Sequence, residues 1–255
     1  TGDYAKQAYL DALLDEHGIT ADTLHMITRD GTSELTSDYA KAEFLSHVSR
    51  MSHDASTSAA IAAAAGTVSS DYYKTQLFTA ALAGGGANDA VSRQVIASAG
   101  SVGSDYYRVV LLLDVLSRTH LSDGSLMSVI GSADGITSDY YRGQVLDSVA
   151  VHQSLGSRSV YTALLRGADG IGASYTRAEV LRTILARRDL TPDLAAATIL
   201  DAAKLGSDND KANVLGDVAE TPLMKNLVVR DAFFATAKSI SSGSEYRRAV
   251  APVLP

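Results

Sequence analysis

Apolar residues in this chain fall at helical spacing, and the same arrangement returns about every 34 residues. Counting from an acidic reference at Asp3, Asp38, Asp71, Asp105, Asp139, Asp208 and Glu245, with Ser174 in the acid's place in the sixth copy, the intervals are 35, 33, 34, 34, 35, 34 and 37 residues. Seven places on stand Leu10, Leu45, Phe78, Leu112, Leu146, Leu181 and Leu215, with Pro252 in the last copy. Just before them come Tyr9, Phe44, Leu77, Leu111, Val145, Val180 and Val214. One turn later come Leu13, Val48, Ala81, Val115, Val149, Ile184 and Val218. These three positions share one face of a helix, so each copy predicts an amphipathic α-helix beginning at its reference residue. Ser37, Ser70, Ser104, Ser138, Ser207 and Ser244 precede the acid and are suited to accept an orphan N–H of the first turn. The acid itself complements the positive helix end.

A second apolar pattern fills the rest of each period. Ile61-Ala62, Val95-Ile96, Val129-Ile130, Leu164-Leu165 and Thr198-Ile199 are followed one turn later by Ala65, Ala99, Ala133, Ala168 and Ala202, and then by Val68, Val102, Ile136, Ile171 and Leu205. First helices are expected to stop near Gly84-Gly85-Gly86, 152–157 and 187–192. Thr191-Pro192 and Thr221-Pro222 then read as N-cap plus proline at the first position of a second helix. Glycines 66, 100, 135, 170 and 206 are expected to close second helices in the left-handed conformation. The fold class that follows is all-α: a right-handed α-solenoid of about seven and a half two-helix repeats, as a single array over 1–255 with repeats starting near 3, 38, 71, 105, 139, 174, 208 and 245. Both ends read as cut from a longer chain.

Composition narrows the chemistry. There is no cysteine, which removes thiol catalysis, disulfides and cysteine-based zinc sites. The net charge of −7 disfavours broad binding to nucleic acid or anionic membrane. The longest apolar runs, 59–65 and 109–113, are far short of a bilayer span.

Each copy reads as one phrase, in full Ser104-Asp105-Tyr106-Tyr107-Arg108, with a basic residue three places after the reference in all eight copies: Lys6, Lys41, Lys74, Arg108, Arg142, Arg177, Lys211 and Arg248. With the period and the Leu at plus seven, this pattern resembles the HEAT-like α-solenoid superfamily, whose stacked hairpins carry a buried ladder of acidic and basic side chains. A standard HEAT unit is longer and spaces its acid and base differently. The tetratricopeptide pattern shares the period but not the residues. The phrase is also similar to tracts of bacterial envelope proteins linked to antibiotic-sensor-type membrane metallopeptidases, which implies a bacterial cell envelope or periplasm rather than the cytoplasm. No His-Glu-x-x-His motif is present, so no catalytic role carries over.

Four sets of side chains are candidates for function. The acid and base of each phrase read as a structural ladder, their long stems covering apolar surface. Ten of the twelve tyrosines lie in the phrase; the second packs, while the first, at Tyr72, Tyr106, Tyr140 and Tyr175, forms a stripe that faces either a neighbouring repeat or a partner. Residues 156–190 hold six arginines against three acids, and Arg158, Arg166, Arg187 and Arg188 form a candidate basic groove for an acidic peptide. Residues 1–38, by contrast, hold eight acids against two bases. His17, His25, His47, His53, His120 and His152 lack a ligand spacing and read as solvated or loop residues. No cofactor, metal or catalytic residue is expected. The function expected is a non-catalytic scaffold that binds a protein, a peptide or another region of its parent chain. The alternatives are a nucleic-acid-acting repeat protein, resembling the DNA-glycosylase branch of helical-repeat proteins, and a sensory module of an envelope protease.

Overall fold

The structure, a computed structural model, describes residues 2–16, 18–52, 54–83, 89–118, 120–155 and 157–254. The expected break at Gly84-Gly85-Gly86, and His17 and His53, lie outside the described residues. Among the described residues are fifteen α-helices, two short 3₁₀ turns and no strand. First helices are α1 (Asp3–Leu14), α3 (Asp38–Met51), α5 (Asp71–Ala83), α7 (Asp105–Arg118), α9 (Asp139–His152), α11 (Ser174–Leu185), α13 (Asp208–Ala219) and α15 (Gly243–Val250). Second helices are α2 (Ala21–Glu34), α4 (Ala55–Ala65), α6 (Asp89–Ala99), α8 (Asp123–Ala133), α10 (Arg158–Asp169), α12 (Pro192–Ala202) and α14 (Leu227–Ala237). No described helix is long and apolar enough to cross a membrane.

The chain divides into two compact units, Thr1–Ser132 and Ala133–Pro255. In the first, α1, α3, α5 and α7 pack side by side as one layer, while α2, α4 and α6 form a second layer beside them. In the second unit α9, α11, α13 and α15 make the first layer and α10, α12 and α14 the other. Consecutive packing of this kind is that of a helical repeat, where each hairpin buries its apolar face on its neighbours.

The core is built from the repeated positions. Phe44, Leu45, Leu77, Phe78, Leu111, Leu112, Val145, Leu146, Val180, Leu181, Val214 and Leu215 are fully buried, as are Ala65, Ala99, Ala133, Ala168 and Ala202 on the second helices. Burial of a leucine or phenylalanine is worth roughly 1.5–3 kcal/mol, so these positions hold the layers together. Tyr9 departs from the pattern at 65% exposure, because α1 packs on α2 and α3 and leaves that face open.

Helix ends differ from expectation in three ways. The glycines do not adopt left-handed geometry: Gly66 and Gly170 are right-handed, and the positive-φ glycine among the described residues is Gly18. Second helices close instead by tightening to i→i−3 bonds, as in Gly66 N to Ala63 O, Thr67 N to Ala64 O and Val68 N to Ala65 O, which occupies terminal carbonyls without a positive φ. Each such turn delivers one apolar plug into the core: Leu35, Val68, Val102, Ile136, Ile171, Leu205 and Ile240. Pro192 does open α12 with Thr191 as cap, but Thr221-Pro222 opens only a 3₁₀ turn, Pro222–Lys225. The α-helix starts afresh at Leu227, where Asn226 accepts from Val228 N. The last first helix is capped by Ser242 rather than Ser244, since the Ser242 hydroxyl accepts from Glu245 N and draws Ser244 into the first turn.

Candidate functional site

In several phrases the acid or the base reaches backbone rather than chiefly its neighbour in the phrase. The Asp38 carboxylate accepts from Ser69 N and Ser70 N at 3.0 and 2.7 Å, in the turn that starts the next first helix. Asp71 does the same with Gly103 N and Ser104 N at 3.2 and 2.8 Å, and Asp208 with Ser241 N and Ser242 N at 3.0 and 2.8 Å. Asp3 takes Thr36 N and Ser37 N, and Asp139 takes Ala173 N at 2.7 Å. Hydrogen bonds from the Ser37 amide and the Thr36 hydroxyl hold the Asp3 carboxyl below the usual carboxylate range. Where the acid is missing, the Ser174 hydroxyl accepts from Ser207 N at 3.2 Å.

The base turns to the opposite polarity. Lys6, Lys74, Arg142 and Lys211 each donate to the carbonyl just before the plug of their own second helix, at Glu34, Ser101, Gly170 and Ser239. A Cβ on Gly170 would meet the far end of the Arg142 side chain, so a larger residue there would shift the guanidinium. An anion at a helix N-terminus and a cation at a helix C-terminus both complement the backbone dipole, and one phrase supplies both to a single junction. Acid-to-base pairs inside the phrase are seen at Asp208–Lys211 (3.6 Å) and Glu245–Arg248 (2.6 Å). The ladder expected from the sequence is therefore mainly a side-chain-to-backbone clamp.

With the charges committed, the tyrosines are what the phrase presents outward. In the first unit Tyr39, Tyr73, Tyr72, Tyr107 and Tyr106 form a continuous zigzag of edge-on contacts with ring centroids 6.2, 5.1, 6.2 and 5.1 Å apart. The second ring of each pair is half-buried between repeats. The first stays open, with Tyr39 at 55%, Tyr72 at 47% and Tyr106 at 53% exposure. Gln76 Nε2 donates to the Tyr72 hydroxyl at 2.7 Å and fixes that ring's direction. In the second unit Tyr140 and Tyr175 are also exposed, with Tyr140 against Tyr141 at 5.4 Å and Gln144 on the Tyr140 hydroxyl. There the second tyrosine gives way to Thr176, whose methyl lies where a Cβ on Gly143 would be.

The second unit adds polar groups that are buried in hydrogen bonds and ion pairs of their own. The Tyr161 hydroxyl donates to Leu194 O at 2.6 Å and meets Thr198 Oγ1; burial pushes its ionisation well above the usual range. Arg177 is ion-paired to Asp201 at 2.7 Å and to Asp169, and Lys204 bridges the same two acids at 2.5 and 2.9 Å.

Of the four candidate arginines, Arg187 and Arg188 line one cleft, while α11 lies between Arg166 and Arg188. Arg187 is not outward-facing: its guanidinium donates to the carbonyls of Ala150 and Gln153, closing α9, and pairs with Asp189 at 2.6 Å. Arg158 and Arg166 are exposed in the first and last turns of α10. Arg166 thus leads into the junction that starts α11, whereas Arg188 follows the far end of that helix, a length of ~18 Å for twelve residues. Exposed Arg188 lines a cleft of about 680 Å³ with Leu185, Leu190, Pro192, Leu223 and exposed Lys225. Lys225 was not among the sequence candidates; what brings it beside Arg188 is the extra 3₁₀ turn at Pro222–Lys225.

His47 also differs from its sequence reading. It lies on α3 with Nδ1 2.9 Å from Asp11 Oδ1 on α1 and Nε2 3.4 Å from Oδ1 of Asp15, the residue that caps α1, because its position faces the neighbouring first helix rather than a loop. Among the described residues no group of three histidine or acidic side chains is arranged to hold a metal ion.

No protein-family model and no curated protein matches the chain. A solved structure described as the computational design of self-assembling cyclic protein homooligomers aligns with 98% of this chain and 88% of its own at 11% identity, with a TM-score of 0.18. At that score the likeness says nothing about this chain's assembly.

Proposed function

We propose that the chain is a single array of HEAT-like repeats without a catalytic centre, which binds a protein partner along its tyrosine edge. One observation carries this reading: the phrase commits its acid and its base to backbone groups and leaves a row of exposed, mutually braced phenol rings. Tyrosine supplies large contact area with little conformational entropy to lose, and is enriched at protein interfaces for that reason. A photo-crosslinking residue placed at Tyr72 or Tyr106 is expected to trap a discrete protein adduct in extracts of the source cell, while the same residue at exposed Leu200 on α12 does not. Equal labelling at all three positions, or none, overturns the reading.

The cleft beside Arg188 favours a second surface. Its apolar floor with Arg188 and Lys225 at the rim suits an acidic peptide carrying an apolar anchor, since neither cation has a side-chain acceptor among the described residues. Arg188→Glu combined with Lys225→Glu should abolish retention of such peptides on the immobilised protein; unchanged retention removes this surface from consideration.

A further inference from the structure

We infer that the partner of the tyrosine edge in the first unit is a basic, proline-rich peptide in the polyproline II conformation, lying across Tyr39, Tyr72 and Tyr106 with one turn per repeat; this rests on the protein-binding reading above. The first argument is metric. Contact steps of 6.2 and 5.1 Å hold successive exposed rings within about 11 Å of each other, and packed helices sit ~8–10 Å apart. A polyproline II helix repeats every three residues, or ~9.3 Å, so a proline at every third position meets one ring per repeat without straining either partner.

The second argument is chemical. A polyproline II segment makes no internal hydrogen bonds, so its carbonyls seek donors, and its pyrrolidine rings stack on aromatic faces. The Tyr72 hydroxyl accepts from Gln76, which leaves its proton directed to an incoming acceptor. The rings are also preorganised, each leaning on a half-buried tyrosine behind it, so little side-chain freedom is lost on docking.

The third is electrostatic. Residues 1–132 hold 15 acidic and 8 basic side chains, which is the whole −7 of the chain, and exposed Glu43 stands one helical turn from Tyr39. Arginines between the prolines would complement that charge and lie over phenol faces. An acidic peptide would be repelled by the same field.

The test is fluorescence anisotropy on the full chain with labelled peptides of about twelve residues, enough for four turns. One has proline at every third position with arginines between; one has the same composition scrambled to break that spacing; one has glutamate for arginine; one is an amphipathic helix. The spaced basic peptide should bind at least about tenfold tighter than the scrambled and acidic ones. Tyr72→Ala and Tyr106→Ala should each weaken it about tenfold or more, and Tyr72→Phe by only about threefold, with helical circular dichroism unchanged throughout. Indifference to proline spacing, to arginine, or to Tyr72→Ala overturns the inference. If the helical peptide binds in a Tyr72-dependent way and the proline peptide does not, the conformation proposed here is wrong and the protein-binding reading stands. If no peptide binds and the crosslinker at Tyr72 traps nothing, both fall.

Discussion

At 71 and 105 the phrase is Asp-Tyr-Tyr followed by Lys or Arg; at 174 it has become Ser-Tyr-Thr-Arg and at 208 Asp-Asn-Asp-Lys. The first pair belongs to the unit that carries the net charge, the second to a unit with 14 acids and 14 bases. Across this change the contacts to backbone persist: an oxygen on the amides that open the next helix, a cation on the end of the second helix. What changes is the material between repeats: a row of rings from Tyr39 to Tyr107 in one unit, and the ion pairs buried around Arg177 and Asp201 in the other. Orphan amides and carbonyls at helix ends need partners in any sequence, so that part of the phrase is constrained by the backbone itself. The filling needs only to exclude water and is open to divergence, and so is the surface it presents.

The largest effect expected from this contrast is at Arg177. Its removal leaves Asp201 buried with only the exposed Lys204 to balance it, so Arg177→Met should cost about 3 kcal/mol in urea unfolding. The matching change in the first unit, Lys41→Met, loses a half-buried lysine's 3.4 Å contact with Thr67 and should cost under ~1 kcal/mol. Equal losses would mean that the two fillings do not differ as described.

Smaller effects are expected at the acid. Asp71→Ala strips the acceptor from Gly103 N and Ser104 N and should cost about 1–2 kcal/mol. Asp71→Ser copies the arrangement at Ser174 and should recover roughly half of that loss. Ser174→Asp, conversely, adds a charge at a helix N-terminus and should gain about 0.5 kcal/mol. Thermal melts of the three variants decide it: if Asp71→Ser is no better than Asp71→Ala, the hydroxyl at 174 is not a substitute for the carboxylate.

The residues involved show how far the sequence could be read. Helix starts at 38, 71, 105, 139 and 208 were legible because apolar periodicity and a preceding cap residue are local signals, and the start at 174 from periodicity alone. The tyrosine row was legible as a candidate because its position within the phrase is constant. The destination of the acid was not: Asp71 and Lys74 stand three apart and suggest a pair, whereas the acid's partners are amides 32 and 33 residues on, and a backbone amide has no letter in a sequence. The separate settings of Arg166, Arg187 and Arg188 were hidden for a related reason. Closeness in sequence placed them together, but a helix of twelve residues separates Arg166 from Arg188, and carbonyls of Ala150 and Gln153 claim Arg187.

The smallest effect, and the one with a pH signature, concerns two half-buried carboxylates, one in each unit. Asp114 is paired with Arg118 at 2.5 Å one turn on. Asp147 has no cation within ion-pair distance among the described residues, and its Oδ1 has no hydrogen-bond partner. Burial pushes its carboxyl above the usual range despite a hydrogen bond from Thr183, and the Glu179 charge adds to the rise. Because the folded value lies above the unfolded one near ~3.9, ionised Asp147 costs stability at neutral pH. The cost shrinks as pH falls through the folded value and is gone below the unfolded one, where both states are protonated. Asp147→Asn keeps an acceptor for Thr183 and should stabilise by about 0.5–1 kcal/mol at pH 7, with the gain vanishing below about pH 4. Asp114→Asn should do the reverse at pH 7, losing about 0.3–0.5 kcal/mol with the i,i+4 pair. Opposite signs for the same substitution on α7 and α9 are what the two environments require; a shared sign in chemical denaturation at pH 7 would show that the Asp147 carboxylate is paired in solution.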